Sequence, residues 1–249
     1  MRLLAATLLL LYLLALAWLV RKDIADYAAF KLLASTADRQ RRFRVWIAKA
    51  FLFFAGGALI ALALLGRWHA LYALPPEFED LARVIHSTAP PRALLSAGFL
   101  GGLLGGVLAS VAIGALASKA FGARKKSTMV VGDVQPLMPR NTAEIAHSLL
   151  FAVNAGFSEE LFFRLLLPLL ITMVVGNALV AFLAAAVIFG LVHIYQGWVG
   201  VVATTILGLL LSALYLGTGS IWIAIVAHAL LDVINLVVRP TLARLVAAR

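Results

Sequence analysis

The sequence contains no cysteine and few charged residues. Without cysteine it cannot form a disulfide bond, a thiolate metal site or a cysteine nucleophile. Of its 249 residues, 63% are hydrophobic and only 13% are charged, whereas a soluble domain is about half apolar and about a quarter charged. The mean hydropathy is +1.02. These values exclude an ordinary soluble domain and predict an all-α, polytopic transmembrane helix bundle.

Acidic residues are scarcer than basic ones. The chain has 11 Asp and Glu against 21 Lys and Arg, which gives a formal net charge of +10. Such a charge can indicate nucleic-acid binding, but here the basic residues cluster in short loops beside apolar stretches. This distribution is typical of membrane orientation and of contact with anionic headgroups. We therefore expect membrane lipids as partners and no nucleic acid.

Apolar stretches divide the chain into spans and loops. The first, residues 3–20, is expected to be a retained helix, because cleavage there would export the basic segment that follows. If residues 143–175 cross the membrane once, the basic C-terminus lies in the cytoplasm. If they cross it twice, that C-terminus lies outside. The charge bias favours about seven spans, with eight as the alternative. The expected spans are about residues 3–20, 50–66, 93–118, 143–175, 178–195, 198–216 and 220–238.

Two segments outside the later spans carry structural signals. Residues 21–49 hold eight Lys and Arg, and we expect an amphipathic stretch along the cytoplasmic face. Its apolar anchors would be Phe30, Leu33, Phe43 and Trp46. The span at 93–118 has glycines at four-residue spacing, a pattern that permits close helix approach. These glycines are Gly98, Gly102 and Gly106.

The stretch 143–175 contains two adjacent acids and an arginine, in the sequence FSEELFFR at 157–164. A charge at bilayer depth is costly and marks a function more often than a packing accident. One helix over this stretch would be roughly 50 Å long, which exceeds a hydrocarbon core of ~30 Å. Pro168 cannot donate to the carbonyl of Arg164, so we expect a kink there. Asn141 or Thr142 is the expected N-cap.

Polar residues in the last four apolar stretches form three patterns, EELFFR at 159–164, FGLVH at 189–193 and HALLD at 228–232. The spacing places Glu160 and Arg164 on one helical face, where they can form an ion pair. The same spacing lets Asp232 accept a hydrogen bond from the His228 imidazole and orient it. Phe189, one turn before His193, is expected to shield that ring.

Each pattern also has a purely structural interpretation. Glu160 and Arg164 can be an ion pair that joins helices, His193 an interfacial residue, and His228 with Asp232 a buried polar clamp. Taken together, however, these costly groups suit water activation in hydrolysis. They could equally hold a divalent metal such as zinc, with Glu159, His193 and His228 as candidate ligands. The serine-hydrolase pattern GxSxG and the metalloprotease pattern HExxH are absent.

In this order and at these separations, the three patterns resemble the motifs EExxxR, FxxxH and HxxxN or HxxxD of the CPBP intramembrane protease family. That family comprises the type II CAAX prenyl endopeptidases and the bacterial Abi-type membrane peptidases. The resemblance covers roughly residues 136–238, so we expect N-terminal helices with a basic cytoplasmic loop at 1–135 and a catalytic transmembrane core at 136–249. We expect a protein of the bacterial plasma (inner) membrane, and the charge bias places its C-terminus in the cytoplasm.

The resemblance also implies roles for the motif residues. Glu159 would activate water together with His193, while Glu160 and Arg164 would shape the pocket and hold Glu159 in place. His228 and the residue at 232 would hold the oxyanion. Asp232 stands where the eukaryotic enzymes have asparagine, and an ionised carboxylate cannot donate a hydrogen bond. Leu165 replaces the glycine that usually follows the motif arginine.

The sequence therefore predicts an intramembrane endopeptidase that acts on membrane-associated peptides, whether CAAX-like or not. Water would attack directly, and a metal-free carboxylate–histidine mechanism is slightly favoured over zinc. Two other functions stay open. One is a non-catalytic immunity or scaffold protein of the same family, and the other is a proton-coupled transporter, in which buried Glu and His side chains relay protons.

Overall fold

The computed structural model describes residues 1–88 and 132–247, and every regular element in those ranges is helical. The N-terminal part consists of α1 (Arg2–Lys31), α2 (Thr36–Ala50), the π-helical segment π1 (Phe51–Gly56), α3 (Gly57–Leu64), 3-10 turns at Trp68–Leu71 and Pro76–Phe78, and α4 (Glu79–Thr88). From residue 132 onwards the elements are a 3-10 turn at Gln135–Leu137, α5 (Thr142–Glu160), π2 (Leu161–Leu166), α6 (Leu167–Val175), α7 (Ala178–Val192), a 3-10 turn at Ile194–Gln196, α8 (Gly197–Thr218), α9 (Ile221–Val233), π3 (Ile234–Val238) and α10 (Arg239–Ala247). The all-α class is confirmed.

Several of these helices are suited to a bilayer. Within the described residues, four are long and apolar enough to cross a membrane, and the apolar helix α7 is shorter. The four are Arg2–Lys31, Thr36–Leu64, Ile194–Thr218 and Ile221–Leu245. The expected span at 93–118, with its glycine ridge, lies outside the described residues. The choice between seven and eight spans therefore stays a prediction.

The basic segment 21–49 is divided between two helices, and its position along the cytoplasmic face stays a prediction. It consists of the end of α1, a short turn and most of α2. Phe30 and Phe43 are fully buried and pack edge to face, with ring centroids 5.3 Å apart. Two of the four expected apolar anchors are therefore buried in the protein interior, where α1 and α2 pack against each other as a helical hairpin.

A buried ion pair joins this hairpin to the start of α5. Arg39 on α2 and Glu144 on α5 are both fully buried, with Arg39 Nε 3.0 Å from Glu144 Oε1. Arg39 also donates to the carbonyls of Pro136 and Met138, and Asn141 accepts from the Glu144 amide as the N-cap. The predicted N-cap is thus confirmed, and the loop that precedes α5 is held against α2.

The stretch 143–175 runs as α5, π2 and α6 without a break in the helix. All six residues of π2 are buried, and so are Leu167 to Thr172. Pro168 is the second residue of α6, two positions after the end of π2. Its missing N–H and the wider π turn alter the helical hydrogen bonding at the position where a kink was expected. Glu160, the last residue of α5, and Arg164 in π2 are fully buried, whereas Glu159 keeps a little exposure.

Gly156 allows α5 to approach α9 closely. A Cβ atom at this position would lie 2.5 Å from the backbone nitrogen of Ala229, a distance that real Cβ atoms do not reach. Ala229 follows His228, and Glu160 lies one turn after Gly156. The glycine therefore brings the first and third motifs into contact.

We expect Gly156→Ala to destabilise the protein by about 1–3 kcal/mol, the usual cost of overpacking, because the obstacle is backbone. Gly56→Ala is the matched control, since its Cβ would meet only the Phe51 carbonyl oxygen at 3.7 Å. Thermal unfolding in detergent measures both. A Gly156→Ala protein as stable as the Gly56→Ala protein would contradict the close approach.

Candidate active site

Glu160 connects two of the three motifs. Its Oε1 atom lies 3.0 Å from Arg164 Nη2 and 2.7 Å from His228 Nδ1. Glu160 and Arg164 have no exposed surface. The predicted pairing of Glu160 with Arg164 on one helical face is confirmed. Because a carboxylate only accepts hydrogen bonds, Nδ1 of His228 carries the proton in this contact.

Arg164 also connects the first motif to the second. Its guanidinium carbon lies 4.2 Å from the centroid of the Phe189 ring, which is the geometry of a cation–π contact. Its three nitrogens have no hydrogen-bond partner among the described residues, although Nη2 is within ion-pair distance of Glu160. The charge of Arg164 is therefore balanced by one carboxylate and one aromatic face.

His228 is oriented by Glu160 and not, as the sequence suggested, by Asp232. The hydrogen bond of its ring goes to Glu160, 68 positions earlier in the chain. Asp232 Oδ2 lies 3.7 Å from His228 Nε2, which is ion-pair distance but longer than a hydrogen bond. The prediction was wrong because the packing at Gly156 offers the ring a closer carboxylate. The same contact turns Glu160 towards His228, whereas the resemblance implied that it holds Glu159.

Glu159 and His193 face each other at the centre of the site. His193 Nε2 lies 3.9 Å from Glu159 Oε2, and both side chains keep a little exposure, 12% and 15%. The other ring nitrogen of His193, Nδ1, lies 2.8 Å from the Phe189 carbonyl oxygen and donates to it. This bond leaves Nε2 as the atom that faces the carboxylate. Phe189 covers the ring at 4.8 Å between centroids, as predicted.

Two cavities meet at this pair. The larger, about 310 Å³, has a partly polar wall that includes Glu159, His193, Tyr195, Gln196, Thr204, His228, Asp232, Asn235 and Arg239. The smaller, about 110 Å³, lies between α1, α2 and π1 and is mostly apolar. It also includes the ion pair of Asp23 with Lys49. Glu159, His193 and Tyr195 line both cavities.

The structure thus brings together all six residues that the sequence singled out, and it adds others. Tyr195, Gln196, Asn235 and Arg239 line the larger cavity but lie outside the three motifs. Asn235 and Arg239 follow Asp232 at intervals of three and four residues and so share its helical face. This spacing is the feature of the sequence from which their position in the cavity wall could have been predicted. Tyr195 and Gln196 follow His193 directly in the chain.

The metal hypothesis rests on Glu159, His193 and His228. Within residues 1–88 and 132–247, no group of three or more His, Asp or Glu side chains is arranged to hold a metal ion. The Nε2 atoms of the two imidazoles face different carboxylates, Glu159 for His193 and Asp232 for His228. The described side chains therefore do not fit a preformed three-ligand zinc site.

Comparison with known proteins agrees with the geometry. Residues 141–234 match the family model described as type II CAAX prenyl endopeptidase Rce1-like. Residues 141–234 are therefore similar to an Rce1-like domain. That domain contains all six motif residues, from Glu159 to Asp232, and begins at the N-cap of α5. No curated protein and no solved structure gives a significant match.

At the level of the Rce1-like family, the match supports a CAAX-type intramembrane endopeptidase. The apolar helices of the described residues agree with an integral membrane protein. At family level, the match and the apolar helices therefore support a membrane protein that is a hydrolase of the protease class.

Proposed function

We propose that the protein is an intramembrane endopeptidase in which Glu159 activates a water molecule for attack on a peptide bond. The observation that carries this proposal is the Glu159–His193 pair, which faces both cavities with an Nε2–Oε2 distance of 3.9 Å. A carboxylate beside an imidazole, with space next to both, suits general-base activation of water.

In the proposed reaction, Glu159 acts first as a base and then as an acid. Glu159 takes a proton from water while the water oxygen attacks the carbonyl carbon, and His193 positions the water. The carbonyl electron pair moves to its oxygen and gives a tetrahedral oxyanion. Collapse restores the carbonyl, breaks the C–N bond and returns the proton from Glu159 to the departing amine. Glu160 and Arg164 act indirectly, because they hold His228 and Phe189 in place.

We propose membrane-associated peptides as substrates, and the two cavities support this choice. A peptide backbone suits the larger, partly polar cavity, whereas an apolar side chain or lipid group suits the smaller cavity between α1 and α2. CAAX-like substrates are one such class. We further propose that the protein resides in a bacterial plasma membrane with its C-terminus in the cytoplasm.

Comparative membrane peptidomics tests this function. Membranes containing wild-type protein should accumulate peptide termini that are missing from membranes containing Glu159→Gln protein at equal abundance. The list of these termini would give the substrate and the cleavage position. Identical peptidomes, with proton flux in proteoliposomes that depends on Glu159, would favour transport instead.

We also propose that hydrolysis proceeds without zinc. Each imidazole directs its Nε2 atom to a carboxylate of its own, and this arrangement supports the proposal. Active protein purified without added metal should contain far less than one zinc per chain, and chelator should leave its activity unchanged. Stoichiometric zinc, with activity lost on chelation and restored by zinc, would overturn the proposal.

A further inference from the structure

Among the motif residues that line the larger cavity, hydrogen-bond acceptors outnumber donors that are not already engaged. Glu159 and Asp232 are carboxylates, and the two imidazoles direct their Nε2 atoms towards them. Each Nδ1 is already engaged, by the Phe189 carbonyl in His193 and by Glu160 in His228. A developing oxyanion needs donors aimed at it. The motif residues alone therefore offer no neutral donor.

The other polar side chains of this wall differ in what they can offer. The Thr204 hydroxyl donates to the backbone carbonyls of Gly200 and Val201, so its proton is in use. Asn235 and Arg239 interact with each other and line only the larger cavity. Neither borders the smaller cavity, where the Glu159–His193 pair is also exposed.

Tyr195 lies where the two cavities meet and lines both of them together with Glu159 and His193. Its ring centroid is 5.8 Å from that of His193 and 4.8 Å from that of Tyr27, so the ring is held on two sides. Its hydroxyl oxygen accepts a hydrogen bond from Gln196 Nε2 at 3.1 Å. A hydroxyl that accepts one bond still has its own proton to donate.

From this arrangement we infer that the Tyr195 hydroxyl is the neutral hydrogen-bond donor to the oxyanion, the role that Asp232 as a carboxylate cannot fill. The inference rests on the proposed function and adds a residue outside the three motifs. Tyr195 keeps its proton throughout. As water adds to the carbonyl carbon and Glu159 takes up the proton of the water, the Tyr195 O–H donates to the new O⁻, and the bond weakens again when the carbonyl reforms.

A double-mutant cycle with Asp232 tests the inference. In wild type, Tyr195→Phe should lower kcat by about a hundredfold with little change in KM, which is the usual loss for one oxyanion donor. Asp232→Asn supplies an amide donor one turn from His228. In that background the same Tyr195→Phe change should cost less than about tenfold, because the two donors substitute for each other.

Tyr215→Phe is the matched control. Tyr215 is 1% exposed, lines neither cavity, and its hydroxyl has no hydrogen-bond partner within the described residues. Its removal should leave kcat unchanged. All variants are compared in proteoliposomes on a peptide cleaved by wild type and not by Glu159→Gln, after monodisperse elution and thermal unfolding have shown that they are folded.

The outcomes separate the two proposals. A loss of equal size in both backgrounds would overturn the donor role and make Tyr195 a packing residue, and so would full activity of Tyr195→Phe. Absence of any cleavage that depends on Glu159 would overturn the proposed function, and the inference with it. A large loss in wild type that shrinks in the Asp232→Asn background would support the assignment.

Discussion

Replacing Glu159 with glutamine is expected to leave a folded protein that has lost at least about a hundredfold of its peptide hydrolysis, the usual contribution of a general base. The amide has nearly the same shape as the carboxylate but cannot take a proton from water. Folding should persist, because Glu159 Oε2 has no hydrogen-bond partner among the described residues and lies 3.9 Å from His193 Nε2, so the substitution removes no hydrogen bond of that oxygen. Steady-state cleavage by the purified protein measures the effect.

Glu79→Gln is the control for this prediction. Glu79 lies exposed at the start of α4 and lines neither cavity, so the same chemical change should leave cleavage unaltered. A Glu159→Gln protein that is folded and still cleaves at the wild-type rate would remove Glu159 from the role of base.

Removing Arg164 is expected to have the largest effect on stability. Arg164→Ala should destabilise the protein by about 3–5 kcal/mol, because the Glu160 charge would be left buried without its cation. The same change removes the guanidinium that covers the Phe189 ring. We expect low yield, a lower unfolding temperature and loss of activity, since Glu160 also holds His228.

Two further variants separate charge from packing. Arg83→Ala removes an arginine from an exposed pair with Asp80 and should leave stability nearly unchanged, as surface ion pairs contribute little. The double variant Glu160→Gln with Arg164→Met removes both buried charges, and it should regain part of the stability without regaining activity. Normal thermal stability of Arg164→Ala would show that no essential buried pair exists.

Local spacing predicted the contacts within each motif. Residues four apart on a helix share a face, and this rule places Glu160 beside Arg164 at 3.0 Å and Phe189 over His193. The same rule places Asp232 3.7 Å from His228, yet it could not show which carboxylate the ring binds. That choice depends on how closely α5 approaches α9, which is a property of Gly156 and Ala229 together.

Long-range pairing explains the other differences between prediction and structure. The basic segment 21–49 was expected at the surface because of its charge. Arg39 is nevertheless fully buried, since Glu144 from α5 and two loop carbonyls satisfy it. A single sequence does not reveal a partner 105 positions away. The position of Tyr195 between the two cavities is likewise a result of tertiary packing, because no motif spacing includes it.

A single turnover in H₂¹⁸O tests most directly whether Glu159 activates water for direct attack. With enzyme in excess over peptide, we expect one ¹⁸O atom in the new C-terminal carboxylate of the product and none in the side chain of Glu159. Attack by the Glu159 carboxylate itself would form an acyl anhydride with loss of the amine. Hydrolysis of that anhydride at the Glu159 carbonyl would give an unlabelled product from the first turnover and an ¹⁸O atom retained in Glu159. That second pattern would show that Glu159 is a nucleophile and not the base that activates water.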